Sequence, residues 1–535
     1  MNRIVILALG VVAWLSTNGQ EAFTIQISPS ALTSVPAVHS GAIATHQDRW
    51  IFLGGRRDGM HIMQGNQAFP EYFRNDSIYV VDPVTDTYLA AAMDPLPLSM
   101  FSPLCSANMQ YYQDGNSLYM IGGYGYDDST LSWKTFPSLI RIDLDCLVAR
   151  VDSGQPVTSC FVQLIDSSMA VSGGALDKID STYYLVFGHR FDGRYSSGVP
   201  PIFYQQYTHR IKMFGIQDNG LQLSLTNYAE QIDTNVFHRR DFNLVPQIYP
   251  NGQQGFTAFG GVFQKQADLP FLTPIDITSD TVAHIASFNE NLNQYTTASL
   301  PVYDSLNNYM HTIFFGGMSL YTFDTVTMTL VQDTMIPFVS TISRISRDPA
   351  GNLVESSLPQ SMPGLLGTNA VFIRDVGVDA YDDRIINLNS ISGTKRVGFV
   401  MGGIASDAPH VANLDPEGMS RPNAQVFEVS IDKSTSDVQD VEVKNRVNDL
   451  LLYPNPADDQ FKITFSLTEK RWCSLALYTS EGRLVRDFFS GERLAGRQSF
   501  DCSLKNIQDG VYFCKIRCGN SSRMIRLIVR HRASQ

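Results

Sequence analysis

Seven basic side chains stand where they could hold an acidic ligand: Arg56 and Arg57, then His189, Arg190 and Arg194, then Arg239 and Arg240. An arginine fork presents its N–H groups in the geometry of a carboxylate or sulfate, so forks gathered at one mouth make an anion site. Each group also has an acid beside it, Asp58, Asp192 or Asp241, and pairing with that neighbour is the competing use. Other chemistries lack their residues. The sequence holds no GxSxG, HExxH or P-loop motif, no CxxC spacing for zinc, and no paired carboxylates that stand out. No catalytic residue, cofactor or metal ligand is assigned.

The elements that would position these side chains repeat. "WIFLGG" ends at Gly55, "LYMIGG" at Gly123, "YLVFGH" at His189, "FTAFGG" at Gly261, "TIFFGG" at Gly317 and "GFVMGG" at Gly403. Each apolar run is preceded by a candidate inner strand: "HSGAIATH", "CSANMQYY", "VSGGALDK", "RDFNLVPQ", "TASLPVYD" and "GTNAVFIR". Each is followed by a candidate third strand: "SIYVVD", "LIRID", "RIKMFGI", "VAHIASF", "LYTFD" and "AQVFEV". Their alternation of bulky and polar residues is the period-2 pattern of a strand with one buried face. Four strands per unit around a ring make a β-propeller. The segment "AFTIQISPSALTSVPAVHS" reads as an outer strand that closes the ring beside "AQVFEVS".

The pattern of apolar run, glycine pair and bulky-x-bulky strand resembles the kelch repeat family over roughly residues 22–434. The resemblance implies an all-β, six-bladed kelch-type β-propeller. Two features depart from it. Steps between glycine pairs are 68, 66, 72, 56 and 86 residues, against about 50 for a kelch unit, and only Trp50 and Trp133 fall in this region. The extra length lies between the second and third strands of every unit but the fifth, as in "NQAFPEYF", "WKTFPSL", "GVPPIFYQQY" and "DLPFLTP". Long loops on one face of a rigid scaffold are where binding sits, although they can also pack on one another as lids. Sialidase-type Ser-x-Asp turns are absent, and a galactose-oxidase-like copper site lacks its His cluster. The expectation is a binding protein whose ligand is a glycan or a protein. The alternative is a propeller enzyme acting on sugars, similar to the sialic-acid mutarotases, which need only a few polar side chains in the central funnel.

The chain has 535 residues and a net charge of −12, which argues against nucleic acid as partner. Residues 451–535 nonetheless carry 14 Lys and Arg against 8 Asp and Glu. That asymmetry separates two bodies. At the start, Arg3 and the apolar Ile4 to Leu15 read as a signal peptide over residues 1–19, cut near Gly19. No later segment is apolar enough for a membrane helix, so the protein is expected not to be an integral membrane protein. The domains expected are a signal peptide (1–19), the propeller (20–434), a polar linker (435–450) and a small β-sandwich (451–535).

The tail opens with Tyr453, Pro454, Asn455 and Pro456, continues through a strand with Gly482 in the following turn, and ends with "GVYFCKI" from Gly510 and "RLIV". In order and spacing these elements closely resemble the type A C-terminal sorting domain of type IX secretion cargo in Bacteroidetes. Tyr453, Pro454, Asn455, Pro456, Gly482, Gly510, Tyr512 and Lys515 are the matching positions. The resemblance implies two partners, the outer-membrane translocon and a surface peptidase, and a protein that is secreted across the outer membrane, extracellular or attached to the cell surface. The competing reading is a structural carbohydrate-binding sandwich. Cys473, Cys502, Cys514 and Cys518 share strand parity with apolar residues and are expected to point inward, and Cys514 and Cys518 are too far apart along one strand to bridge.

Overall fold

Strand pairing follows the glycine pairs. The computed structural model describes residues 23–61, 68–195, 203–324, 329–411, 418–433, 441–442, 447–467, 470–479, 483–518 and 521–531. The expected signal peptide and most of the expected linker lie outside the described residues, as does Gly482. No helix among the described residues is long and apolar enough to cross a membrane.

The protein is all-β. Four-stranded antiparallel meanders succeed one another along the chain. The first joins Ala42–His46, Arg49–Leu53, Ser77–Asp82 and Thr87–Ala92. The second joins Gln110–Asp114, Ser117–Ile121, Ser138–Asp143 and Phe161–Ile165. The third joins Ala175–Ile179, Thr182–Val186, Arg210–Asp218 and Leu223–Ile232. The fourth joins Asn243–Ile248, Gln254–Phe259, Ile275–Ile277 and Val282–His284. The fifth is built on Ala298–Asp304, Tyr309–Phe315, Thr341–Arg347 and Leu353–Ser361. The sixth takes Leu365–Arg374, Thr394–Ser406 and Phe427–Asp432, and its outer strand is Thr24–Pro29 from the start of the chain. That strand pairs from Thr24↔Asp432 to Pro29↔Phe427, beside the segment expected.

Two third strands fall elsewhere than their sequence suggests. In the fourth unit Ile275–Ile277 pairs with the second strand, and Val282–His284 from "VAHIASF" is the outer strand. In the fifth unit Tyr321–Asp324 pairs with Thr329–Gln332 as a separate hairpin, and Thr341–Arg347 is the third strand. The fifth unit therefore carries an insertion too. Alternation reports one buried face, and a hairpin lying on a neighbour has one as well.

Four of the glycine pairs are joints between sheets. The N–H of Gly55 donates to Ser106 O at 2.7 Å, Gly123 to Val171 O at 2.9 Å, Gly261 to Gln294 O at 2.7 Å and Gly317 to Leu366 O at 2.8 Å, each acceptor on the approach to the next sheet. At Gly54, Gly122, Gly260 and Gly316 the first glycine of the pair has no room for a side chain. A Cβ on Gly122, at φ 66°, would lie 2.0 Å from Val171 O. Apolar clusters fill the seams between successive sheets, for example Leu118, Ile140 and Ile142 against Ala44, Ile51 and Leu53. The same kind of cluster joins the sixth sheet to the first, with Phe399 and Met401 against Trp50 and Phe52.

A hydrogen-bonded circle ties the starts of the inner strands together. Asn108 N–H donates to Ser40 O, Gly173 to Asn108, Asp241 to Gly173, Thr296 to Asp241 and Asn369 to Thr296, at 2.8 to 3.0 Å. Asn369 Nδ2 completes the circuit on Ser40 Oγ at 3.0 Å.

The tail is a sandwich of a three-stranded sheet (Val447–Tyr453, Gln460–Leu467, Gly496–Ser503) and a four-stranded sheet (Leu484–Arg493, Arg471–Thr479, Gly510–Cys518, Ser521–Val529). Phe461, Ile463 and Phe465 of one sheet meet Leu475, Leu477 and Ile516 of the other. All four tail cysteines are buried, as their parity requires, and Cys473 bonds to Cys518 across paired strands. A second disulfide joins Cys146 and Cys160, while Cys105, Cys502 and Cys514 are free thiols.

Candidate functional site

The insertions after the glycine pairs of the second and third units fold as hairpins, Tyr124–Asp127 with Ser132–Thr135 and His189–Asp192 with Tyr204–Tyr207. They stand side by side because backbone and hydroxyl groups lock them. Gly193 N–H donates to Trp133 O at 2.8 Å, Tyr124 Oη–H to Gly193 O at 2.6 Å, and Thr135 Oγ1–H to Phe191 O at 2.8 Å. Underneath, Phe69, Tyr124, Phe191, Tyr195 and Phe203 form a chain of aromatic contacts.

Between the hairpins lies an open groove of about 710 Å³ lined by Leu131, Trp133, Lys134, Arg190, Arg194 and Tyr204, among others. The Arg194 guanidinium sits 3.8 Å from the Trp133 ring centroid, and that of Arg190 5.8 Å from Tyr204. An aromatic face lies against each guanidinium. Arg190 is paired with Asp192 at 2.7 Å, and Lys134 is paired with Asp127. The lining carries three cations and one acid, Asp192, with Asp127 behind Lys134. Leu131 and Tyr204 are exposed apolar walls.

The seven sequence candidates therefore divide. Arg190 and Arg194 meet in the groove. Arg57 is exposed beside Phe73, whose carbonyl takes its backbone N–H at 2.8 Å. Arg56 forks onto Asp58 at 2.5 and 2.8 Å and onto Pro70 O at 3.1 Å, a holding role for its own loop. Burial works to raise the Asp58 carboxyl, but hydrogen bonds from His39 and Arg56 hold it below its ordinary range. Arg240 pairs with Asp241 at 3.0 Å. The pairing of Arg56, Arg190 and Arg240 with their neighbouring acids, raised by the sequence as the competing use, is found for all three.

Two candidates have buried side chains. His189 is buried, its Nδ1 bonded to Gln205 Nε2 at 2.8 Å, and burial keeps its imidazole neutral by pushing the pKa well below 6.5. Arg239 has no exposed surface. Its Nη1 donates to Gly260 O and Thr273 O, its Nε to Val236 O, and its guanidinium lies 4.2 Å from the Phe271 ring centroid. Burial pulls its pKa down to about 9. It is a pin inside the fourth unit, not a ligand residue.

The groove walls were missed by sequence reading. Trp133 and Tyr204 are 71 positions apart and carry no shared motif.

A larger cavity, about 950 Å³, is lined by the first strand of each of the six sheets. The residues of the hydrogen-bonded circle line its end on the loop side. Its mouth is on the opposite face, among residues 46–48, 113–115 and 382–384. Among the described residues no group of three or more His, Cys, Asp or Glu could hold a metal ion.

In the tail, Asn455 anchors the entry segment to the last strand, with Nδ2 donating to Arg526 O at 2.8 Å and Oδ1 accepting from Ile528 N–H at 2.9 Å. Tyr453, on the entry strand, is exposed. Pro454 and Pro456 both follow cis peptide bonds. Tyr512 Oη–H donates to Gln508 O at 2.9 Å, Gly510 pairs with Val529, and Lys515 pairs with Ala476 and Met524.

Comparison with known proteins separates the two bodies again. No curated protein matches the chain. Solved structures with some likeness include YjhT, at 12% identity over 75% of this chain and 100% of that one, with a TM-score of 0.41. An arabinoxylan arabinofuranohydrolase of glycoside hydrolase family 43 from Bacillus subtilis is 9% identical over 94% of each chain, with a TM-score of 0.26. PorZ, a surface component of the type IX secretion system of Porphyromonas gingivalis, is 8% identical over 92% of this chain and 86% of that one, with a TM-score of 0.13. These likenesses are too distant to bear on what the ring does. Residues 451–530 match the family of secretion system C-terminal sorting domains, and this domain marks the protein for type IX export to the cell surface or the extracellular space.

Proposed function

We propose that residues 20–434 are a closed, six-bladed, kelch-like propeller that the tail delivers to the cell surface, and that the propeller binds an anionic ligand in the groove between its second- and third-blade hairpins. A signal peptide at residues 1–19 and a linker at 435–450 complete the domain order. The N-terminal strand in the sixth sheet, the circle of inner-strand hydrogen bonds and the apolar seam between sixth and first sheets support closure. The single observation that carries the binding reading is the Arg190–Arg194 pair. Both guanidiniums lie over aromatic faces, Arg190 while paired with Asp192, on a ring whose overall charge is negative.

An acidic glycan suits this groove better than a neutral one. Forks bind carboxylate or sulfate bidentately, and Tyr204 and Leu131 offer apolar surface to a sugar ring. The test is binding of the full chain to an array of sulfated, uronate-containing and neutral oligosaccharides. Retention of the acidic members alone supports the reading, while binding confined to neutral sugars refutes it. A sugar-converting enzyme similar to the sialic-acid mutarotases is the second reading. The larger cavity, with Gln110, Asn108 and Asn243 in its wall, is the observation that favours it. It would show as turnover in a sugar-isomerisation assay.

A further inference from the structure

The larger cavity is crossed at its mouth by a hairpin that belongs to the sixth unit but is built onto the fifth. Ala380–Tyr381 pairs with Ile385–Asn387, and Ile386 and Asn387 pair in parallel with Val302 and Tyr303 on the channel edge of the inner strand. The turn at Asp382 and Asp383 projects Arg384 to the far side. There its guanidinium binds the carboxylate of Asp177, on the third sheet, and Asp382 at 2.6 Å, and lies 5.5 Å from the ring centroid of Tyr112, on the second.

A carboxylate and a tyrosine face around a guanidinium are the chemistry that recognises an alkyl cation from outside. One further group suits a donor-rich ligand. Gln110, two residues before Tyr112 and so on the same face of the strand, is 1% exposed, lines the cavity, and has a buried Oε1 with no hydrogen-bond donor. Three other acids of the lining have cations of their own: Asp114 has Lys178, Asp241 has Arg240 and Asp383 has Arg374. Asp177 has Arg384.

We propose that Asp177, Tyr112 and Gln110 form a site for a small alkyl-amine or alkyl-guanidinium cation, and that Arg384 occupies it as an internal stand-in. The site is distinct from the anion groove and lies on the opposite face. Leaving Asp177 buried without a cation is costly, so Arg384 swings out only as another cation replaces it. Ligand binding and opening of the mouth are thereby one equilibrium, biased by the ligand's preference for the open state.

Agmatine, a four-carbon alkyl-guanidinium, is the probe, titrated calorimetrically into the full chain. Arg384→Ala removes the competitor and should bind agmatine about tenfold or more tighter than wild type, the ratio that ~1.4 kcal/mol of competition produces. Arg384→Gln keeps the length without the charge and should behave the same, which preserves the test if the alanine variant does not fold. Arg384→Lys should stay near wild type. Adding Asp177→Asn to either open variant should abolish the gain. The proposal is overturned if a folded Arg384→Ala or Arg384→Gln protein binds no tighter than wild type, or if the gain survives Asp177→Asn.

Discussion

Replacing Gly122 by alanine should weaken the ring far more than the same change at Gly115. Both glycines have positive φ, 66° and 58°. A Cβ at Gly115 meets nothing within 4 Å, so that variant carries only the left-handed backbone strain, about 1 kcal/mol. A Cβ at Gly122 would fall 2.0 Å from Val171 O, backbone that is itself held by the Gly123 N–H at 2.9 Å. The carbonyl cannot move without opening the joint between the second and third sheets. Overpacking of that kind adds roughly 1–3 kcal/mol. Gly122→Ala should therefore lower stability by two to four times as much as Gly115→Ala, read as the shift in the thermal or urea unfolding midpoint of the ring. Equal shifts for the two variants would refute the idea that the glycine pairs are sheet-to-sheet joints. They would then be turn residues and nothing more.

Acid should loosen the groove through Asp127. Burial works to raise this carboxyl, yet Lys134, Ser129 and Thr130 hold it down to about 2, so its stabilisation is present above the unfolded value near 3.8 and lost as pH falls toward 2. Asp127→Asn should flatten the unfolding profile in that window. Loss of the Cys473–Cys518 bond, which closes a loop of 45 residues, should destabilise the tail by roughly 2–4 kcal/mol and leave the ring's transition where it was. Truncation at Leu450 should strand a folded ring in the host periplasm, and residues 436–535 fused to an inert exported reporter should carry it to the surface, both scored by surface protease accessibility.

Backbone constraint made the glycine pairs readable. Only glycine fits a positive φ pressed against a neighbouring carbonyl, so the requirement shows in the residue itself. The closing strand was legible for a related reason, since its alternation left it no partner nearby in sequence. The fifth-unit third strand was not, because "LYTFD" alternates as well as a sheet strand does while pairing only with its own hairpin. Charge misled at Arg239. A guanidinium reads as a surface group, but three carbonyls and the Phe271 ring replace its water. The Arg384–Asp177 pair had no sequence signal at all, because the two residues lie 207 positions apart and meet only in the folded chain.

The most direct test of the account is a titration of the full chain with a sulfated oligosaccharide retained on the array, comparing wild type with Arg190→Ala/Arg194→Ala at two salt concentrations. Both side chains are solvent-accessible, so folding should be unchanged. Affinity should fall about a hundredfold or more, two charge-assisted hydrogen bonds at ~1.5 kcal/mol each, and wild-type binding should weaken with salt while the variant's residual binding does not. A folded double variant that binds as tightly as wild type, with the same salt dependence, would contradict the claim that this groove is where the propeller meets its ligand.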